Sequence, residues 1–323
     1  MRRLGCIIIV IVLLLFGGLA GNFVYGWNGA GPSKEDSSFI VPNGASLKGT
    51  AILLKQAGLV VSADAFYMRA RTLGGAPVVK AGEYLIPKAA SNKDILAIIS
   101  EGVGINRFVT IPEGMPSIMV QERLMAVEQL SGEVEVPAEG SVLPDTYAYD
   151  KGEDRAALLA RMQAAMTKAL DEAWARRSSR AVVKSKAEAV ALASIVEKET
   201  AIAAERPTVA GVYSNRLNKG MMLQADPTII YPITKGKPLG RRIRKSEIAA
   251  VNDYNTYAMT GLPKGPIANP GRKSIEAVLN PAETTALYFV ADGKGGHIFA
   301  DTLQEHEDNV RKWFEIRRAR GEM

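Results

Sequence analysis

The first twenty-seven residues constrain this chain more than any other stretch. Arg2 and Arg3 precede an almost uninterrupted apolar run from Leu4 to Ala20, and the apolar character continues through Phe23, Val24, Tyr25 and Trp27. As an α-helix the run is long enough to cross a bilayer with its aromatic end among the headgroups. The positive flank predicts a cytoplasmic N-terminus. The expectation is therefore a single-pass protein of the bacterial inner (cytoplasmic) membrane, in contact with lipid through residues 4–27 and with residues 28–323 in the periplasm or outside the cell. Gly18-Leu19-Ala20 also offers a processing site for a cleaved signal peptide. Apolar character running past that site favours a retained anchor. Cys6 lies too early for a lipidated-cysteine start and is expected to be a small residue of the helix.

Beyond the anchor the composition is that of a globular protein. With 323 residues, 47% hydrophobic and 23% charged, the chain can build one large or two modest domains. Cys6 is the only cysteine, so the exported part has neither disulfides nor thiolate ligands. The two histidines, His297 and His306, exclude a multi-histidine zinc site and any Ser-His-Asp triad not built on one of them. No cofactor or metal is expected. The net charge of +6 is too small to argue for nucleic acid. Its densest basic stretch is Lys235, Lys237, Arg241, Arg242, Arg244 and Lys245, without the interleaved aromatics that stack on bases. A solvated loop is the simpler account of that stretch, and an electrostatic rail for an acidic polymer or lipid headgroups the functional alternative.

The expected fold class is α+β, in four segments: a cytoplasmic stub and transmembrane anchor at 1–27, a Gly/Pro/Ser linker at 28–38, a small module at 39–105 and a larger mixed α+β domain at 106–323. In the module, a strand at Phe39-Ile40-Val41 leads to a helix from Leu47 to Gln56. A second strand, Gly82 to Ile86, leads to a helix that starts after Ser91 and ends at Gly102. This strand-helix grammar resembles the LysM-type modules that bind N-acetylated glycans; a spacer without a ligand is the alternative. In the larger domain a strand is expected over Val109–Pro112, helices over Met115–Leu130 and 153–178, and another helix after Ser185, where Ser185 and Glu188 form an S-x-x-E capping box. Gly293 to Gly296 reads as the turn of a hairpin between Tyr288–Ala291 and His297–Phe299, with His297 a structural residue at a strand end. Gly265 to Ser274 fails as a phosphate loop, because the glycine spacing is too long and Arg272 stands where a lysine is needed.

Helix 185 onward is apolar on nearly every face through Val196 and so belongs inside the domain, and Glu197-Lys198-Glu199 follows. Glu197 and Glu199 project about 200° apart and are not a paired-carboxylate site. Glu197 lies one turn beyond Ala193 and Ser194, whose small side chains leave room for a ligand, whereas Glu199 continues the line of Ile195 and Val196. Burial and the negative end of the helix dipole both raise the pKa of a carboxyl at this place, toward use as a general acid. The structural alternative is a buried glutamate neutralised by Arg206 or Arg216.

Ala193-Ser194-Ile195-Val196-Glu197-Lys198-Glu199-Thr200 resembles the signature of the YceG-like family of endolytic murein transglycosylases. The same order continues through Asn215-Arg216-Leu217, Leu223 to Thr228, Tyr254-Asn255-Thr256-Tyr257, Thr260 to Pro263, Pro266-Ile267, Asn269-Pro270-Gly271 and Tyr288 to Gly293. Upstream, Pro112-Glu113-Gly114 and Leu143 to Tyr147 fit as well. Asn252-Asp253 before Tyr254 and Ser141-Val142 before Pro144 depart from the family pattern. The resemblance implies a peptidoglycan lytic transglycosylase that cuts the β-1,4 bond between N-acetylmuramic acid and N-acetylglucosamine within strands, leaving 1,6-anhydro ends. It makes Glu197 the catalytic residue and peptidoglycan strands the partner, with peptidoglycan synthases as further partners. Asn215, Gln224, Asp226, Tyr254, Asn255, Tyr257 and Asn269 are then expected along the sugar groove. Asp145, Asp226 and Glu113 are the carboxylates left for folding to bring beside Glu197. A hydrolytic muramidase and a non-catalytic wall-binding scaffold are the rival functions.

Overall fold

The computed structural model describes residues 2–102 and 104–321. The Cys6 side chain lies outside this description. Contacts divide the chain into two compact units, Met1–Arg107 and Phe108–Met323. The architecture is mixed α+β, with helices predominating and three two-stranded sheets among the described residues.

The first unit opens with α1 (Arg2–Asn28), the one described helix long and apolar enough to cross a membrane. Its last turns are part of the folded unit. Trp27 is buried in the core, Phe23 O accepts from Arg69 Nε at 3.1 Å, and Gly26 O accepts from Asn92 Nδ2 at 2.9 Å. β1 (Ser37–Val41) pairs antiparallel with β2 (Gly82–Ile86), and α2 (Leu47–Gln56) and α3 (Ala63–Thr72) lie between them in sequence. α4 (Asn92–Glu101) follows, closed at its start by a reciprocal Ser91–Asp94 capping box. The strands and the helices α2 and α4 lie where the sequence places them, but α3 was not expected. Its polar surface, with Arg69 and Arg71, hides a short apolar seam in which Phe66 and Ala70, one turn apart, are buried. Alternation in β1 turns Phe39 and Val41 inward onto Leu54, Phe66, Ile95 and Ile99.

The stretch read as a linker is stitched to this unit. Gly31 N donates to Ala89 O, Ala89 N to Ser33 O and Lys88 N to Asp36 Oδ1, at 3.0, 3.0 and 2.8 Å.

The second unit begins with β3 (Arg107–Thr110), which pairs with β4 (Thr146–Tyr149). α5 (Ser117–Met125) is shorter than the expected Met115–Leu130. Pro116 occupies the N-cap position, and beyond the helix end the buried Arg155 guanidinium takes up the carbonyls, donating to Leu124 O, Val127 O and Gly132 O at 2.9, 2.7 and 2.6 Å. Those carbonyls are satisfied without another turn. Arg155 opens α6 (Arg155–Ala175), and α7 (Lys186–Glu199) follows. Ser185 Oγ caps α7 through Glu188 N at 3.2 Å, yet Glu188 Oε2 reaches Lys184 N at 2.6 Å, one residue before the position a capping box requires. A short 3₁₀ turn at 203–205 leads into α8 (Arg206–Asn218), then α9 (Asp226–Thr234), α10 (Lys245–Ile248) and α11 (Arg272–Leu279). β5 (Tyr288–Ala291) and β6 (His297–Ala300) form the expected antiparallel hairpin, and α12 (Leu303–Ala319) ends the described chain.

α7 is buried from Ala189 to Val196 and packs against α8 and α11, so Leu192, Ile195, Val209, Tyr213 and Val278 share one core. Each such side chain stabilises the fold by about 1.5–3 kcal/mol. Rigidity there fixes the end of α7, where the two glutamates leave the helix.

Candidate active site

Glu197 leaves the last turn of α7 with only 4% of its side chain exposed. Its Oε1 accepts from Arg206 Nη2 at 3.0 Å and its Oε2 from Gly271 N at 2.8 Å. Arg206, the first residue of α8, is 8% exposed, and the same Nη2 donates to Glu113 Oε2 at 2.8 Å. Two carboxylates therefore share one guanidinium nitrogen, one buried and one, Glu113, 43% exposed. Gly271 is the N-cap of α11, so the carboxylate at the negative end of α7 also meets the positive end of α11.

Sequence reasoning left the neutralising arginine open between Arg206 and Arg216, and the fold decides for Arg206. The Arg216 guanidinium is committed to main-chain carbonyls, with Nε to Leu287 O at 2.6 Å and Nη1 to Leu223 O at 2.8 Å. Of the three carboxylates that folding might have brought near, Glu113 is the one that arrives at Arg206. Two backbone positions make the approach possible. At Gly271 a Cβ would lie 2.1 Å from Glu113 Oε1, and Gly114, at φ +71°, faces Glu197 Cγ and Lys198 Cδ, each 3.4 Å from where a Cβ would stand.

The room expected beside Ala193 and Ser194 is filled by protein, which corrects that expectation. Both residues are fully buried, and Ser194 Oγ accepts from Ile267 N at 3.0 Å. The 266–268 segment occupies the space that the small side chains leave.

Three of the residues expected along a sugar groove spend their amides inside the protein. Asn269 is fully buried: its Oδ1 accepts from Val142 N at 2.9 Å and its Nδ2 donates to Met115 O at 2.9 Å. Asn255 Nδ2 donates to Ile248 O and Ala250 O, at 2.9 and 2.6 Å, while its Oδ1 caps Tyr257 N. Asn215 Nδ2 donates to Thr284 O and Ala286 O, at 2.8 and 3.0 Å. These side chains fasten loops to one another. Gln224, in the left-handed region at φ +51°, and Asp226 are exposed; Tyr257 donates to Asp226 Oδ1 at 2.7 Å, and Tyr254 packs on Tyr231 with ring centroids 4.9 Å apart.

Glu199 goes the other way, into the interior. Burial pushes its carboxyl up to about 7; the Tyr213 hydroxyl, hydrogen-bonded to it, opposes this, the Asp226 charge adds to it and Arg216 opposes it. Its Oε1 is buried without a hydrogen-bond partner. Burial likewise raises Tyr213 and Tyr257, so this side of α7 is a cluster of groups held neutral. His297 takes the structural place expected of it, with Nδ1 2.8 Å from Glu205 Oε2.

The profile of the YceG-like family matches residues 39–312. The chain belongs to the YceG-like family. Among its relatives, the protein named endolytic murein transglycosylase in Bacillus subtilis strain 168 is 29% identical over 333 residues, covering 91% of both chains. The protein of that name in Streptococcus pneumoniae D39 is 28% identical, and its alignment covers 86% of this chain and 58% of the longer relative. The crystal structure of a yceG-like protein from Listeria monocytogenes is 27% identical, with a TM-score of 0.51, over 85% of this chain and 99% of that one. All of the Glu113, Glu197, Arg206 and Gly271 cluster lies inside the matched segment. Gly271 was missed as a site residue, although Pro270-Gly271 belongs to the strings that carry the resemblance, whereas Glu113 was among the three carboxylates considered and Arg206 one of two arginines considered for the structural alternative.

Proposed function

We propose that this chain is a membrane-anchored peptidoglycan lytic transglycosylase in which Glu197 is the acid and base. The observation that carries the assignment is the convergence on one buried carboxylate of Arg206, the α11 N-terminus and a second carboxylate, within the segment shared with the endolytic murein transglycosylases. Glu197 protonates the oxygen leaving C1 of the muramoyl residue. As a carboxylate it then takes the proton of the muramoyl C6 hydroxyl while that oxygen closes on C1. The bond to the leaving sugar breaks, the 1,6-anhydro bond forms, and the proton returns to Glu197, so no water is consumed. Arg206 and Gly271 N–H stabilise the carboxylate between the two steps. Reaching the glycosidic oxygen requires Glu197 to exchange one of these partners for the sugar, and the exposed Glu113 keeps Arg206 paired while it does so.

The sugar contacts are assigned to Gln224, Asp226, Tyr254 and Tyr257, whose side chains retain exposure, rather than to the buried Asn255 and Asn269 or to Asn215, whose amide is spent on Thr284 O and Ala286 O. The strand-helix-helix-strand order of the first unit supports a LysM-like glycan-binding module, and Arg2-Arg3 with the apolar α1 supports a single-pass anchor with the catalytic unit on the periplasmic side. Glu113 also favours a second reading. Sharing Arg206 Nη2 at 2.8 and 3.0 Å keeps its oxygen and that of Glu197 no more than about 6 Å apart, which admits the separation of about 5–5.5 Å at which retaining glycosidases place their pair. Product chemistry separates the two courses. Purified strands digested by the lyase carry anhydro ends, whereas a muramidase leaves reducing ends one water heavier. Glu197→Gln is expected to lower cleavage by about 10²–10⁴ with an unchanged melting temperature, and Glu199→Gln to do far less. Near-normal anhydro product from Glu197→Gln, or a dead but folded Glu199→Gln, refutes the assignment.

A further inference from the structure

Next to the Glu197 cluster, in the second unit, is a cavity of about 430 Å³. Its walls are mostly apolar, with Met115, Met119, Ile230, Leu239 and Ile267 among them. Two cations border it. Lys237 is committed to Glu122 at 2.5 Å. Lys198, the residue after Glu197, is exposed and has no ion pair or hydrogen bond among the described residues, so its ammonium is available to a ligand. Gly114, in the cavity wall, lies against both Lys198 and Glu197: a Cβ there would stand 3.4 Å from Glu197 Cγ and from Lys198 Cδ.

Sugar faces are recognised by planar aromatic rings and by amide or carboxylate side chains, and apart from Glu113 at its edge this cavity offers neither. Its apolar walls and single uncommitted ammonium suit a ligand that combines methyl groups with a carboxylate. In peptidoglycan that combination belongs to muramic acid alone: the O3-lactoyl ether and the short peptide built on it present methyls followed by acidic groups, whereas glucosamine carries no such arm. We infer that this cavity receives the beginning of the peptide stem of the muramoyl residue at the scissile bond, methyls against Met119, Ile230 and Leu239, and a stem carboxylate on Lys198. The inference rests on the transglycosylase function proposed above and adds a register to it. With the stem seated here, the bond brought to Glu197 is the one on C1 of a muramoyl residue, and the alternate glycosidic bond of the strand is refused.

The test compares uncrosslinked strands that carry their stems with the same strands stripped by an amidase and with the freed lactoyl carboxylate capped as its methyl amide, both digested by the full-length chain in detergent. The readout is the ratio of kcat/KM for the stem-bearing over the stripped substrate. The wild-type ratio is expected to exceed one. Lys198→Ala should lower it by about tenfold, as loss of one charge-assisted contact does; Lys198→Glu should lower it further, and Leu239→Trp, which fills the cavity, should lower it through KM. A wild type that prefers neither substrate, or Lys198 variants that keep the wild-type ratio, overturns the stem subsite while leaving the transglycosylase standing. Because Lys198 is exposed, its substitution leaves the fold intact. A wild type inactive on both substrates overturns the activity, and the subsite with it.

Discussion

Glu199 gives the structure a pH signature that can be measured apart from catalysis. Its carboxyl is raised from 4.5 to about 7, mainly by burial. A carboxyl raised on folding holds its proton in the native state while the unfolded chain has already released it. Stability therefore falls as pH rises from about 4.5, and levels off above about 7. The shift corresponds to a loss of about 3 kcal/mol across that window. Glutamine cannot ionise, so Glu199→Gln should remove this slope. The amide placed beside Tyr213 in a pocket where Glu199 Oε1 already lacks a partner costs about 1–3 kcal/mol at every pH. The variant is then less stable than wild type at pH 5, and the difference closes or reverses by pH 8. Guanidinium unfolding followed through Trp174 and Trp313, both in the second unit, reads this directly. Equal slopes for the two proteins between pH 5 and 8 would show that Glu199 titrates as an ordinary carboxylate and that its burial has been misjudged.

Other substitutions examine the rest of the architecture. Gly271→Ala forces a methyl into Glu113 Oε1 and should cut strand cleavage more than tenfold while Glu197 remains in place; unchanged kcat/KM would mean that Glu113 is dispensable to the site. Asn269→Ala leaves Val142 N unpaired in the interior, while Met115 O keeps the backbone N–H of residue 269, and should cost about 1–3 kcal/mol of stability in the second unit, seen as a lower unfolding midpoint. A loss of activity without any loss of stability would instead return Asn269 to the sugar groove. Protease added to spheroplasts should digest residues 28–323, and a mature chain beginning at Gly21 would disprove the retained anchor.

Much of this protein follows from local pattern. The apolar length of α1, the burial of α7, the Ser91 and Ser185 caps and the glycine turn between β5 and β6 depend on neighbours a few residues away, and there the chain folds as its periodicity predicts. The ordered polar strings place the segment around Glu197 within the YceG-like family. Side-chain direction in loops has no such period. Whether Asn215, Asn255 and Asn269 face a ligand or hold a neighbouring strand of chain depends on which carbonyls folding leaves unpaired, and each was drawn inward by them. The same competition commits Arg216 to carbonyls and leaves Arg206 for the carboxylates. Glu113 joins Glu197 on Arg206 because α8 and α11 bring Arg206 and the side-chain-free Gly271 to the end of α7. The sequence by itself thus determined the long apolar N-terminal helix, the main helices and the place of Glu197 at the end of α7. The tertiary structure decided that residue's partners, because long-range hydrogen bonds and charges select among groups that are equivalent in local sequence.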